Sequence, residues 1–142
     1  MFEIASPLSR LSVPLYEAPR PSAGFPSPAA DYVEGRLDLN ERLIARPAAT
    51  FIVRVSGDSL RRAGIHSGDL AIVDRSIKPR SGQIVVAALN GDLVVKRLRR
   101  RGRQAWLEPD SDDPRYQAIE IGEESGLEIW GVVTHTIRDH PA

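Results

Sequence analysis

The sequence predicts a mainly β domain of about seven strands with one or two short helices, preceded by a flexible N-terminal arm. From Thr50 onward, short apolar runs alternate with clusters of Gly, Ser, Asp and Asn, the pattern of strands separated by turns. Asn90-Gly91 stands between two of these runs, and that dipeptide suits the two left-handed positions of a tight hairpin. Upstream the composition changes. Pro7, Pro14, Pro19, Pro21, Pro26 and Pro28 crowd the N-terminal segment. Each fixes its own φ and removes a backbone donor, which favours an extended arm over a packed element.

Taken in order, residues 1–35 form the arm, and Leu11, Val13, Leu15, Tyr16 and Phe25 give it apolar groups with which to dock. Residues 36–142 form the domain. A short helix starts near Asp38, because Asp38 with Glu41 three residues on resembles a capping box and Leu39, Leu43 and Ile44 supply an apolar face. The expected strands are Phe51–Val55, Leu70–Val73, Ile84–Leu89, Leu93–Val95, Ala105–Leu107, Ala118–Ile121 and Leu127–Ile137. Turn signals at His66-Ser67-Gly68-Asp69 and Arg80-Ser81-Gly82 separate them.

The 142 residues suit one domain plus an arm. Lys+Arg and Asp+Glu balance at 19 each, so net charge does not favour wrapping nucleic acid or lying on an acidic membrane. With no cysteine, a disulfide framework, a thiolate metal site and a cysteine nucleophile are excluded. No apolar run reaches the roughly 20 residues that span a bilayer. Arg10 and two prolines interrupt the first fifteen residues, unlike the basic-then-apolar order of a secretion signal. A soluble cytoplasmic protein without a membrane partner is expected.

The chemistry centres on Ser56-Gly57-Asp58-Ser59-Leu60, which directly follows an apolar strand. Arg61-Arg62-Ala63-Gly64 then reads as one helical turn closed by glycine. A serine at such a junction has backbone N–H groups nearby for an acyl-transfer oxyanion; the plainer reading is a helix cap. A serine nucleophile needs a base. None of His66, His135 and His140 has an acidic partner fixed by sequence. Lysine is the other route, since arginine stays charged whereas burial turns lysine into a base. Lys78 lies in a polar loop, and Lys96 ends the run Leu93-Val94-Val95. A free lysine is neutral in only about one molecule in 2,500 at pH 7, so Lys96 needs a folded pKa of about 7–8 to serve. Desolvation by apolar neighbours is able to supply that shift. The plainer reading is a solvated lysine at a strand end.

Together these residues resemble the UmuD branch of the LexA-like self-cleaving serine peptidases. The matching text runs from Gly24-Phe25-Pro26-Ser27-Pro28-Ala29-Ala30-Asp31-Tyr32-Val33-Glu34 through Asp38-Leu39-Asn40, Ser56-Gly57-Asp58-Ser59, Gly68-Asp69-Leu70 and Ile72-Val73-Asp74 to Val94–Lys96 and Gly131-Val132-Val133-Thr134-His135. Leu60 stands where the family often has methionine, a swap that nearly conserves volume. The resemblance implies Ser59 as nucleophile, Lys96 as general base and Ala23-Gly24 as the scissile bond, with no cofactor and no metal. It implies a curved, mostly β peptidase domain that forms homodimers. It further implies self-cleavage stimulated by a RecA filament on single-stranded DNA, after which the shortened product joins a Y-family polymerase for error-prone synthesis across damage, within the SOS response. Ala-Gly occurs twice, at Ala23-Gly24 and Ala63-Gly64. Only the first lies in the arm; the second follows the serine too closely to reach it.

Three rivals are weighed. A repressor with the same peptidase domain needs a helix-turn-helix domain of about 60 residues upstream, and 23 residues precede Gly24. A membrane-bound signal peptidase needs a spanning segment. A non-catalytic interaction module leaves the combination of Ser59, Lys96 and Ala23-Gly24 unexplained. No sequence-specific DNA binding is expected. The run Arg97, Arg99, Arg100, Arg101 and Arg103 reads first as a solvated hairpin tip. Its functional alternative is a salt-sensitive contact with DNA, the RecA filament or the polymerase.

Overall fold

A computed structural model of the chain describes residues 11–17, 33–122 and 126–141, and of residues 33 and 34 the backbone alone. The chain divides into two compact units, Met1–Ala45 and Arg46–Ala142.

In the first unit, β1 (Ser12–Tyr16) pairs antiparallel with β2 (Val33–Asp38), from Ser12 opposite Asp38 to Tyr16 opposite Val33. The sequence reading gave neither strand. Proline in a strand requires an edge where its missing N–H is not needed, and in a two-stranded ribbon Pro14 has that edge. Arg36 fastens the ribbon, donating from Nε to Ser12 Oγ at 3.1 Å and from Nη2 to the Ser12 carbonyl at 2.9 Å. The expected helix follows as α1 (Leu39–Leu43), with Asp38 as its N-cap. The Asp38 carboxylate accepts from the Asn40 N–H at 2.9 Å, satisfying one of the orphan donors of the first turn.

The second unit is a curved antiparallel sheet of seven strands in the order β3-β4-β9-β5-β6-β7-β8. The strands are β3 (Thr50–Arg54), β4 (Leu70–Asp74), β5 (Ile84–Leu89), β6 (Asp92–Arg101), β7 (Gln104–Glu108), β8 (Ile119–Glu120) and β9 (Leu127–Ile137). The mainly β expectation holds, and each of the seven predicted runs becomes one of these strands. Asn90 at φ 51° and Gly91 at φ 90° turn β5 into β6, with Leu89 opposite Asp92. β5 is apolar along its whole length because both faces are buried. Val86 joins Val55, Leu60, Ile65, Ala71 and Val73 in one core cluster, and Val85 and Ala87 join Leu98, Leu107 and Val132 in another.

β9 runs between β4 and β5 and is the seam of the sheet. Its register shifts twice, opposite Ile72/Val73 and opposite Val86/Ala87, and such bulges bend a strand and increase its twist. At the second shift the backbones close tightly on Gly131. A Cβ there would stand 2.8 Å from Val73 Cγ1 and 2.9 Å from the Asp74 carbonyl oxygen. Gly131→Ala is therefore expected to destabilise the fold by about 2 kcal/mol, in the range of core overpacking, measured as a lowered urea midpoint with unchanged slope.

A buried ion pair closes the other end of β9. Arg138 donates to both Asp69 carboxylate oxygens, at 2.9 and 2.8 Å, and to the Gly64 carbonyl at 2.6 Å. The Arg138 guanidinium is the largest influence holding the Asp69 carboxyl down at about 2. Among the described residues no helix is long and apolar enough to cross a membrane.

The arginine run divides. Arg97 and Arg99 lie inside β6 and are engaged: Arg97 donates to the Gly82 carbonyl at 2.8 Å and faces Asp110 at 3.6 Å, while Arg99 pairs with Glu108 at 2.6 Å. Only Arg100, Arg101 and Arg103 sit exposed at the β6–β7 turn. The solvated-tip reading thus fits three of the five and is corrected for Arg97 and Arg99, whose strand register puts carboxylates beside them.

Candidate active site

The turn after β3 carries Ser59. Gly57 adopts φ 88°, a left-handed conformation that a side chain would strain, and its N–H donates to Ser67 Oγ at 3.2 Å. A 3-10 turn, Arg61–Ala63, follows and ends on left-handed Gly64. Two backbone bonds pin the turn to Asp110. The Asp110 N–H donates to the Ser59 carbonyl at 2.7 Å, and the Arg62 N–H donates to the Asp110 carbonyl at 2.8 Å. The N-cap of the 3-10 turn is Leu60, without a side-chain cap bond, so Ser59 is not the ordinary cap that the sequence allowed.

Ser59 lines a cleft of about 410 Å³ whose walls are two strand edges. One is Ile52–Val55, on a strand whose one partner among the described residues is β4. The other is Leu93–Lys96, the part of β6 that pairs with β5 before β7 joins at Arg97. Both edges therefore have backbone groups not used by the sheet. The Ser59 hydroxyl reaches the Val95 carbonyl at 3.5 Å, the long limit of a hydrogen bond, and so stays available to another partner. The Ser59 N–H makes no hydrogen bond among the described residues.

Lys96 lines the same cleft. It is 9% exposed, against the solvated strand end that a lysine commonly occupies. Its place on β6 puts it opposite Val85, which is fully buried. Desolvation holds the Lys96 ammonium below its ordinary pKa, because burial penalises the charged form. Among the described residues no carboxylate pairs with it to offset that penalty. The cleft lining includes no histidine. His135 lies on β9, with Nδ1 3.0 Å from Thr134 Oγ1. Lys78 lies in the exposed loop before Pro79.

Tyr116 also lines the cleft and escaped the sequence reading. It belongs to the polar loop between β7 and β8, and its phenol oxygen accepts from the Asp58 N–H at 3.1 Å. Its ring lies 5.1 Å from Lys96 Nζ. The one signal available was a lone aromatic in the polar stretch Asp110–Gln117, and no spacing rule ties that position to Ser59.

The structure thus brings Ser59 and Lys96 into one cleft, while Ala23 and Gly24 lie outside the described residues. The chain matches the family described as Peptidase S24-like over residues 14–134. It is 52% identical to Protein ImpA of Salmonella typhimurium over 125 residues, covering 88% of this chain and 83% of ImpA. It is 51% identical to Protein SamA of the same species over 116 residues, covering 82% and 79%. To Protein MucA of Escherichia coli it is 45% identical over 130 residues, covering 92% and 87%. A match of this extent, with the serine and the buried lysine facing one cleft, means that the chain belongs to the Peptidase S24-like family, in its UmuD-type branch.

Proposed function

We propose that the chain is a self-cleaving serine endopeptidase in which Ser59 is the nucleophile and Lys96 the general base, and that it cuts its own arm between Ala23 and Gly24. The observation that carries this reading is a buried lysine that, among the described residues, has no carboxylate partner, lining the same cleft as a serine hydroxyl whose one hydrogen bond among those residues is long. A desolvated lysine gains neutral fraction near pH 7 and so becomes able to accept a proton.

The mechanism requires the scissile bond to reach Ser59, and the edge backbone groups of β3 and β6 that line the cleft suit an extended peptide, which binds a strand edge through main-chain hydrogen bonds. Small residues on both sides of the bond let it come close to Ser59. Ser59 Oγ attacks the Ala23 carbonyl carbon as Lys96 Nζ takes the hydroxyl proton. The free Ser59 N–H is a donor for the oxyanion. Lys96 returns the proton to the Gly24 nitrogen as the peptide bond breaks, leaving an Ala23 ester on Ser59 that water hydrolyses. No cofactor or metal enters. The arm then corresponds to residues 1–35, and 36–142 to the peptidase and dimerisation domain.

The cellular part of the proposal follows from membership of the UmuD-type branch. Cleavage occurs in the cytoplasm, is stimulated by a RecA filament on single-stranded DNA in the SOS response, and yields a homodimer that serves a Y-family translesion polymerase as accessory subunit. Sequence-specific DNA binding plays no part. The test is the intact mass of the purified chain after incubation with RecA, an ATP analogue and single-stranded DNA. A product beginning at Gly24 is expected; a different new N-terminus rejects the site, and an unchanged mass rejects self-cleavage. Replacing Gly24 by a bulky residue is expected to slow the cut at least about tenfold, since small misplacements of a reacting bond cost that much or more.

A further inference from the structure

Tyr116 is remote in sequence from both Ser59 and Lys96, yet it touches the turn that carries one and the ammonium of the other. Its phenol oxygen accepts the Asp58 N–H at 3.1 Å, directly before the proposed nucleophile. The turn comes this close because residue 57 is glycine: a Cβ there would stand 3.2 Å from the same phenol oxygen. The ring meets Lys96 Nζ at 5.1 Å from its centroid, within the range of a cation–π contact. The loop that bears the tyrosine is itself braced, with the Tyr116 N–H donating to the Asp113 carbonyl at 3.1 Å and Arg115 paired to Asp113.

We infer that Tyr116 is a positioning residue for the Ser59–Lys96 pair, its hydroxyl fixing the Gly57-Asp58-Ser59 turn and its ring fixing where the Lys96 ammonium stands. The inference rests on the reading of these two residues as nucleophile and base. Its two contacts act differently. The hydroxyl bond fixes geometry, so it governs how fast the neutral-lysine form reacts. The ring face attracts a cation, so it favours protonated Lys96 and opposes the effect of burial. Tyr116 thereby restrains unassisted cleavage at neutral pH while keeping the nucleophile aligned. Among the described residues the other charged groups around the site include Arg54 across the cleft on β3, Asp58 beside Ser59, Asp110, whose N–H donates to the Ser59 carbonyl and which faces Arg97, and the Arg115–Asp113 pair, whose guanidinium lies 6.0 Å from the Tyr116 ring. Substitution of Tyr116 removes none of them.

The chain has two lysines, Lys78 and Lys96, so carbon-13 lysine labelling gives two side-chain titrations to follow by NMR. The full chain with Ser59→Ala keeps the arm uncut during the measurement. In that background Tyr116→Phe, which keeps the ring, should leave the Lys96 midpoint where it is. Tyr116→Leu, which keeps apolar cover but loses the ring face, should lower it by about half to one pH unit. With Ser59 present, both variants should cleave about tenfold more slowly on the alkaline plateau, as expected for a loosened nucleophile. Only Tyr116→Leu should also shift the pH–rate midpoint downward. A merely structural tyrosine would change rate or stability without moving that midpoint. A Lys96 midpoint that is unmoved or raised in Tyr116→Leu, or a full plateau rate in Tyr116→Phe, overturns the inference alone when Lys96→Met is inactive. Cleavage by Lys96→Met at a rate close to that of the wild type overturns the nucleophile–base reading and the inference with it.

Discussion

Replacing Lys96 by methionine is expected to lower self-cleavage by roughly 10²–10⁴-fold, the usual contribution of a positioned general base, while leaving the fold at least as stable near neutral pH. The two halves of this expectation have one cause. Burial holds the Lys96 pKa below its ordinary 10.5, so the folded chain binds this proton less tightly than the unfolded chain does. Between the lowered folded pKa and the unfolded value, the unfolded chain binds more protons, and stability rises with pH. Below the folded pKa the destabilisation is fully present; above the unfolded value it is gone. Methionine fills much of the same space without a charge and removes that pH dependence. Ser59→Ala is expected to be at least as inactive, by about 10⁴-fold or more, yet to keep the wild-type pH dependence of stability. Denaturant midpoints against pH for both variants, with the arm uncut in each, separate the two. The cleavage rate of the wild type should climb with pH through the folded pKa and then level. A rate flat from about pH 6 to 10, a range that spans a useful base, removes lysine from the mechanism.

Arg138→Ala is expected to lower the unfolding midpoint clearly at neutral pH, because it takes the partly exposed guanidinium away from a carboxylate that is itself buried. Asp69 is 2% exposed, and after the substitution the bond left to its carboxylate among the described residues is the one from the His66 N–H at 2.9 Å. In the wild type its folded pKa of about 2 lies below the ordinary 3.8. The stabilisation is therefore complete above about pH 4 and is lost as pH falls toward 2, because the unfolded carboxyl takes up its proton first. Acid titration of the unfolding midpoint should show this loss in the wild type and a much flatter profile in Arg138→Ala. An unchanged profile would mean that the pair contributes nothing to folding.

Of the two residues behind these predictions, the sequence singled out Lys96 and not Arg138. Lys96 stood out because lysine is rare in this chain and because it follows three apolar residues on the second arm of an Asn-Gly hairpin. The strands were legible for a similar local reason: apolar runs bounded by turn residues fix both type and place. Asp38 announced α1 through its capping chemistry. What the sequence hid was non-local. β1 and β2 pair across sixteen intervening residues, and Pro14 argues locally against a strand, although a ribbon edge accepts it. Tyr116 meets Ser59 and Lys96 only because β7 returns the chain past β6. Arg138 gave no sign of a buried partner, since Asp69 lies 69 residues away in sequence and meets it only where the neighbouring strands β4 and β9 pair. Arg97 and Arg99 looked like the three arginines that follow them until the register with β7 supplied Glu108 and the loop beyond it Asp110.

The position of β9 has a bearing on timing. Ser59 belongs to the β3–β4 half of the sheet and Lys96 to the β5–β8 half, and among the described residues the strands of those halves are paired to each other only through β9. In the order of synthesis β9 comes after both. A ribosome adds about 5–20 residues per second, so there is an interval in which serine, lysine and arm have all been made but no sheet yet holds the two side chains together. On the proposed mechanism, a growing chain in that interval holds serine, lysine and scissile bond without the sheet that aligns them, and self-cleavage is expected to begin only once β9 has paired with both halves.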